Sequence, residues 1–244
     1  MNFAARNNNQ DIINFLLSQP GIKIPEKCFK DCGKLSKIII PNGITIINKE
    51  VFHNCHSLTE VIIPSSVTKI DENAFEACSS IKQINIPSSV TKIESGAFSV
   101  CSSLVKISLP PSITSISPSL LSSCRSLIKV TIPDSVTIIG HDAFRGCTSL
   151  SEIEIPSSVT FIGNDAFACC ESLKKVNIPS SVKEIEENAF KECSSLKEII
   201  IPSSVEKIGK SIFSQCDALE KVTIPASADV KELSINSKVL ITKI

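Results

Sequence analysis

Eleven cysteines and three histidines are the side chains of this 244-residue sequence best suited to metal or nucleophilic chemistry. Thiolate and imidazole are the ligands of structural zinc, which takes four of them in a tetrahedron. Cys28, Cys32, His53, Cys55 and His56 lie near enough in sequence to raise that question. Their spacing matches no zinc signature. Cys32 and Cys55 also open a longer series, continuing through Cys78, Cys101, Cys124, Cys147, Cys170 and Cys193 to Cys216, with a constant step of 23 residues. A thiol that recurs so regularly reads as a small buried hydrophobe at a tight bend. Cys28 and Cys169 stand outside the series. Register alone does not forbid bridging, since a disulfide needs Cα atoms within about 7 Å. Reduced thiols are the expectation for a chain without an export signal.

Nucleophilic catalysis requires a nucleophile, a base and an orienting group within hydrogen-bond reach. His141 lies between Gly140 and Asp142, and serine is abundant. Many of those serines are turn residues repeated from copy to copy. His141 takes the place of Glu72, Ser95 and Asn164 in other copies, so it reads as a surface residue at a helix start. The sequence has no glycine–lysine phosphate loop, and its eight glycines are few for a phosphate cradle. No catalytic residue, metal or cofactor is expected, and the chain is not expected to be an enzyme.

The elements that position these residues follow from the same step. Proline recurs at Pro41, Pro64, Pro87, Pro110, Pro133, Pro156, Pro179, Pro202 and Pro225. Phenylalanine recurs at Phe29, Phe52, Phe75, Phe98, Phe144, Phe167, Phe190 and Phe213, with Leu121 in the gap. A fixed period in this range marks a stack of supersecondary units, none of which can bury its apolar face alone. The copy Leu58–Ser80 shows how each unit works. Val61 and Ile63 alternate with Glu60 and Ile62, which is strand period. Pro64 ends the strand because it cannot donate to a ladder. After the Ser65-Ser66 turn, Val67 and Ile70 point inward from a second extended stretch. Asp71-Glu72-Asn73 predicts a helix start, with Ala74-Phe75 packing down from a single helical turn.

Both ends need caps. Ile12, Ile13, Phe15, Leu16 and Leu17 predict a helix that stops before Pro20-Gly21, so residues 1–23 form a helical cap on the solenoid of residues 24–225. Residues 226–244 predict a strand-rich cap with Val239, Leu240 and Ile241 as its buried edge.

Formal net charge is zero and every aromatic residue is Phe. A neutral chain is poorly suited to nucleic acid or to an anionic membrane surface. Met1–Gln10 lacks the basic start and apolar run of a secretory signal, and no run of 18 apolar residues inserts into a membrane. A cytoplasmic location is expected, with unconventional export to the cell surface as the alternative.

The string IPSSVTKIxxxAFxxCxSLxxIxIP, seen with small changes at 63–87, 86–110, 155–179 and 178–202, resembles the BspA-like (Treponema-type) leucine-rich repeat. The resemblance runs from residue 24 to about 225. It implies a right-handed leucine-rich-repeat solenoid, α/β but strand-rich, of nine 23-residue repeats with a parallel sheet on one face. It also implies adhesion, host contact or other protein–protein binding, and no catalytic residues. Surface antigen or adhesin, and regulatory or scaffold subunit, are the alternatives to a plain protein-binding role. Residues 4–18, AARNNNQDIINFLLS, resemble the helical part of an ankyrin repeat.

In such a solenoid, recognition falls to the outward side chains of the strands, here on the concave face. One column reads Lys37, Glu60, Gln83, Lys106, Lys129, Glu152, Lys175, Glu198, Lys221. The other reads Ile39, Ile62, Asn85, Ser108, Thr131, Glu154, Asn177, Ile200, Thr223. Opposite charges face each other from Lys129 to Lys221, while Lys106 beside Lys129 breaks the alternation and offers a place for an acidic group. Ile39 and Ile62 are either a contact patch or covered by the N-terminal helix. The copy from Pro110 to Val130 departs from the pattern at Pro111, Pro118 and Leu121, which reads as a local bend, a notch or ordinary drift. The partner is expected to be a protein, and edge-to-edge pairing of a terminal cap is a route to a homodimer.

Overall fold

The computed structural model describes residues 7, 9–19 and 21–244. The ankyrin-like positions 4–6 and 8, and Pro20 of the expected helix stop, lie outside the described residues.

Each repeat forms one rung with three sides. On the first side, short strands such as Lys106–Ser108 and Lys129–Thr131 pair in parallel, with partners one repeat apart: Lys37↔Glu60, Lys106↔Lys129, Glu152↔Lys175, Glu198↔Lys221. On the second side, two-residue strands form another parallel sheet, for example Ile46↔Lys69 and Phe161↔Glu184. The inward residues of both sides, such as Ile107, Ile116, Ile139 and Ile162, are buried in one continuous core.

The third side departs from the sequence expectation. The predicted helical turn at 71–77 is a run of tight turns, because Asn73 and Ala77 adopt left-handed φ of 54° and 57°. The backbone N–H groups then point alternately inward and onward. Asn73, Phe75 and Ala77 donate to Ser95, Ala97 and Ser99 of the next rung at 3.0, 2.9 and 2.8 Å, while Ala74, Glu76 and Cys78 donate within their own rung. Left-handed backbone costs an L-residue about 1–2 kcal/mol, so short polar residues or glycine suit these positions, as at Gly96, Asp142, Gly146 and Asn188. Among the described residues at such angles Val100 alone is β-branched, at φ 58° and 40% exposed.

Side chains repeat the same step inside the rod. The rings of Phe29, Phe52, Phe75 and Phe98 stack nearly parallel with centroids 5.2–5.5 Å apart, and a second stack runs from Phe144 to Phe213. Leu121 separates the two stacks. It is preceded by Leu120, where the interior rungs carry Ala74, Ala97, Ala143, Ala166 and Ala189. A larger residue beside a smaller one keeps the filled volume nearly constant, as close packing demands. Beside the rings, the Cys78 thiol donates to the Phe52 carbonyl at 3.1 Å, and equivalent bonds run from Cys55 to Cys216.

The pairing lapses at several steps of the first side, whose strands fall into four separate sheets, and at one step of the second. The Lys92–Ile93 strand and the Ser115–Ile116 strand belong to different sheets. Where Asp71 and Gly140 donate backbone N–H groups to Ile47 and Ile116, the Ser117 hydroxyl instead meets the Ile93 carbonyl at 2.5 Å. On the first side, Gln83 makes only an isolated bridge to Lys106. The turn side stays intact there, with Gly96, Phe98 and Val100 donating to Pro118, Leu120 and Ser122.

The caps differ in part from expectation. The helix Gln10–Leu17 buries Ile13 and Leu17 against the core. It does not cover the start of the outward column, since Ile39 and Ile62 remain 43% exposed. At the other end the coil makes one more, shorter turn. Leu233 lies at the end of the phenylalanine series, where Phe213 N–H reaches its carbonyl, and Leu240–Lys243 pairs with Lys221–Ile224. Val239 is buried and Ile241 partly so, but Leu240 points outward at 63% exposure. The Lys243 ammonium reaches back to the carbonyls of Ala226 and Ala228 at 3.2 and 2.9 Å.

Two predictions follow from these contacts. Val100→Asn relieves the left-handed strain and should raise stability to urea by about 1 kcal/mol, with Val100→Ile giving no gain. Leu121→Phe alone overpacks the space Leu120 fills and should cost ~1–3 kcal/mol, most of it recovered by adding Leu120→Ala in a double-mutant cycle.

Candidate functional site

Several of the residues suited to metal or nucleophilic chemistry are engaged in other contacts, and His56 is exposed. Cys55 donates its thiol to the Phe29 carbonyl, and His53 Nδ1 lies 3.2 Å from Glu76 Oε2. Among the described residues, no group of three or more His, Cys, Asp or Glu side chains is placed to hold a metal ion. His141 Nδ1 and the Glu186 carboxylate share the Asn164 N–H at 3.1 and 3.0 Å, and the His141 ring meets Phe161 edge-on. His141 thus braces neighbouring turns. The in-register thiols from Cys55 to Cys216 are shifted toward the protonated form. Burial pushes Cys55, Cys101 and Cys216 up to about 12, and holds Cys78, Cys124, Cys147, Cys170 and Cys193 well above the ordinary thiol range.

The outward columns of the first side are where the sequence put them. Glu60, Ile62, Gln83, Asn85, Lys106, Ser108, Lys129, Thr131, Glu152, Glu154, Lys175, Asn177, Glu198 and Ile200 are exposed, and Lys37 is half-buried. Thr223, at the end of the second column, is buried. Lys37 and Glu60 form an ion pair at 2.9 Å, and Glu152 faces Lys175 and Glu198 faces Lys221 in register. Lys106 faces Lys129 with like charge.

The second side carries a row of hydroxyls most of which are committed to the backbone, Ser204 being an exception, beside an outward column that runs Ile46, Lys69, Lys92, Ser115, Ile138, Phe161, Glu184 and Lys207. Thr68, Thr91, Thr137 and Thr160 each donate to the carbonyl of the threonine one rung earlier, at 3.2–3.3 Å. Ser66, Ser89, Ser135, Ser158 and Ser181 likewise donate to carbonyls of the preceding rung. Among the described residues, the side chains of the two outward columns of the first side make no such bonds to the backbone of the rod.

The copy from Pro110 to Val130, which the sequence leaves as a local bend, a notch or ordinary drift, borders a groove on this side. A shallow cavity of about 610 Å³ lies at the lapse between Glu60–Ile62 and Lys106–Ser108, lined by Glu60, Gln83, Asn85, Lys106, Ser108 and Pro111 among others.

Parallel rungs, an aliphatic core and an exposed strand face define a leucine-rich-repeat solenoid. A family model for the BspA type leucine rich repeat region, with six copies, matches residues 22–140 and 114–238, and the chain belongs to that family. No curated protein matches it. Among solved structures it is similar to a leucine rich cell surface protein from Faecalibacterium prausnitzii A2-165, at 28% identity and a TM-score of 0.60, over 86% of this chain and 79% of that one. It is also similar to the leucine rich repeat protein of T. pallidum, at 27% identity and a TM-score of 0.60, over 84% of this chain and 86% of that one. Among the described residues, no helix is long and apolar enough to cross a membrane.

Thiol labelling checks the assignment of the cysteines. At neutral pH, iodoacetamide should modify the native protein at no site beyond the half-buried Cys28 and Cys169, and all eleven cysteines after denaturation, as read by intact mass.

Proposed function

We propose that the protein is a non-enzymatic binding protein that recognises a protein partner through the exposed face of its first sheet. The observation that carries the reading is the contrast between two faces of one scaffold. The threonines and serines of the second side are committed to carbonyls of the rod. The first side sets diverse, exposed side chains on a regular backbone, with Lys106, Ser108 and Thr131 near its middle. A rigid scaffold carrying varied side chains loses little order on binding, which favours affinity.

The cell surface is a second reading, supported by the likeness to the F. prausnitzii cell surface protein. It concerns location and is compatible with the same binding face. Labelling of intact source cells with a membrane-impermeant reagent separates the two locations.

The face itself is tested with a photo-crosslinking residue introduced singly at Ser108, Asn177 or Ile200 on the first side, Thr137 on the second, and Ser122 on the turns. Exposure of each bait to source-cell extract should give protein adducts from the three first-side positions. Adducts confined to Thr137 or Ser122 overturn the assignment.

A further inference from the structure

Zero net charge conceals an uneven distribution. Between Glu76 and Asp134 the sequence carries five cations and one carboxylate, Glu94. That carboxylate sits 2.7 Å from the Lys92 ammonium and 3.2 Å from the Lys69 ammonium, whose hydrogen bonds hold it below the usual carboxylate range. From Asp134 onward there are twelve cations and sixteen carboxylates. Four of the five central cations, Lys82, Lys106, Arg125 and Lys129, are exposed on three successive rungs and make no ion pair among the described residues.

Neighbouring rungs show how the chain otherwise neutralises this face, with Lys37 against Glu60 and Glu152 against Lys175. At Lys106 and Lys129 two ammonium-bearing residues face each other in register instead. Rungs are about 4.8 Å apart, and like charges at that separation repel unless an anion lies between them. The groove lined by Lys106 and Pro111 borders this pair, and Ile128, 53% exposed, lies next to Lys129.

We propose that this cationic block docks a short acidic segment of a partner protein, in extended form, with carboxylates bridging Lys106 and Lys129 and an apolar side chain resting on Ile128. The proposal rests on the first side being the binding face and adds the chemistry of what binds there. Glu60 and Glu152 bound the block, four rungs or roughly 19 Å apart, which accommodates five or six extended residues. A long uniform polyanion such as nucleic acid would run onto Glu152 and Glu154 and be repelled, so a short acidic peptide is the better fit.

Fluorescence anisotropy tests this with three labelled probes: an eight-residue peptide alternating Glu and Leu, its Gln-for-Glu counterpart, and a twenty-residue oligothymidylate. The Glu–Leu peptide should bind and weaken with added salt, and the Gln peptide and oligonucleotide should bind at least about tenfold more weakly. Lys106→Glu/Lys129→Glu should weaken the Glu–Leu peptide about tenfold or more, and Lys106→Gln/Lys129→Gln by less. Lys175→Glu/Lys221→Glu on the same face should leave it within about twofold, with circular dichroism confirming that each variant is folded. Absence of binding, equal binding of the Gln peptide, equal loss in both charge-reversed pairs, or preference for the oligonucleotide overturns the proposal. Crosslinks at Ser108, Asn177 and Ile200 without peptide binding overturn the acidic segment but leave the binding face standing. Loss of both overturns both.

Discussion

The backbone hydrogen bond from one rung to the next is the constraint on which the molecule rests. A 23-residue turn encloses too little apolar surface to persist alone, and its alternate N–H and C=O groups would face water at each edge. Stacking satisfies those groups and seals the core in one act. The turn side carries the most regular of these contacts, since pairing continues there where the first and second sides lapse near residues 83–117. The aromatic stack and the thiol-to-carbonyl bonds follow the same step, so a rung out of register would disturb ring, thiol and backbone together.

Much of this was legible in the sequence, because position-specific chemistry repeats. Proline marks the strand end and phenylalanine and cysteine mark the core, so their common step gave the register. The strand period identified the outward columns. The left-handed turns were less visible. Their occupants range over Asn73, Gly96, Ser119 and Asp142 at one position, and Ala77, Val100, Gly146 and Cys169 at another. The shared property there is a dihedral angle, with no side-chain type to announce it, so the alternation Asp71-Glu72-Asn73 read as a helix start. The outward Leu240 was missed for a related reason. The last turn is shorter than its predecessors, so the register that places other leucines inward no longer holds.

Variation among the rungs carries the information that regularity withholds. Inward positions are confined to a few aliphatic types because the core is close-packed. Leu120 and Leu121 show that even an exception there conserves filled volume. The outward positions of the first side obey no such limit, and the uneven charge falls on this freer surface. The threonine and serine hydroxyls of the second side support the backbone instead. Hydroxyls that support the backbone and cations that face each other in register thus fall on different sides of the same rungs.

The sulfur atoms have a consequence for where such a rod can exist. All eleven are free thiols, and the in-register ones act as weak donors in a dry interior. Integrity therefore draws nothing from covalent crosslinks, and reducing surroundings leave the stack without a bond to lose. In oxidising surroundings the half-buried Cys28 and Cys169 are the thiols open to attack, while the buried series stays enclosed in its dry interior.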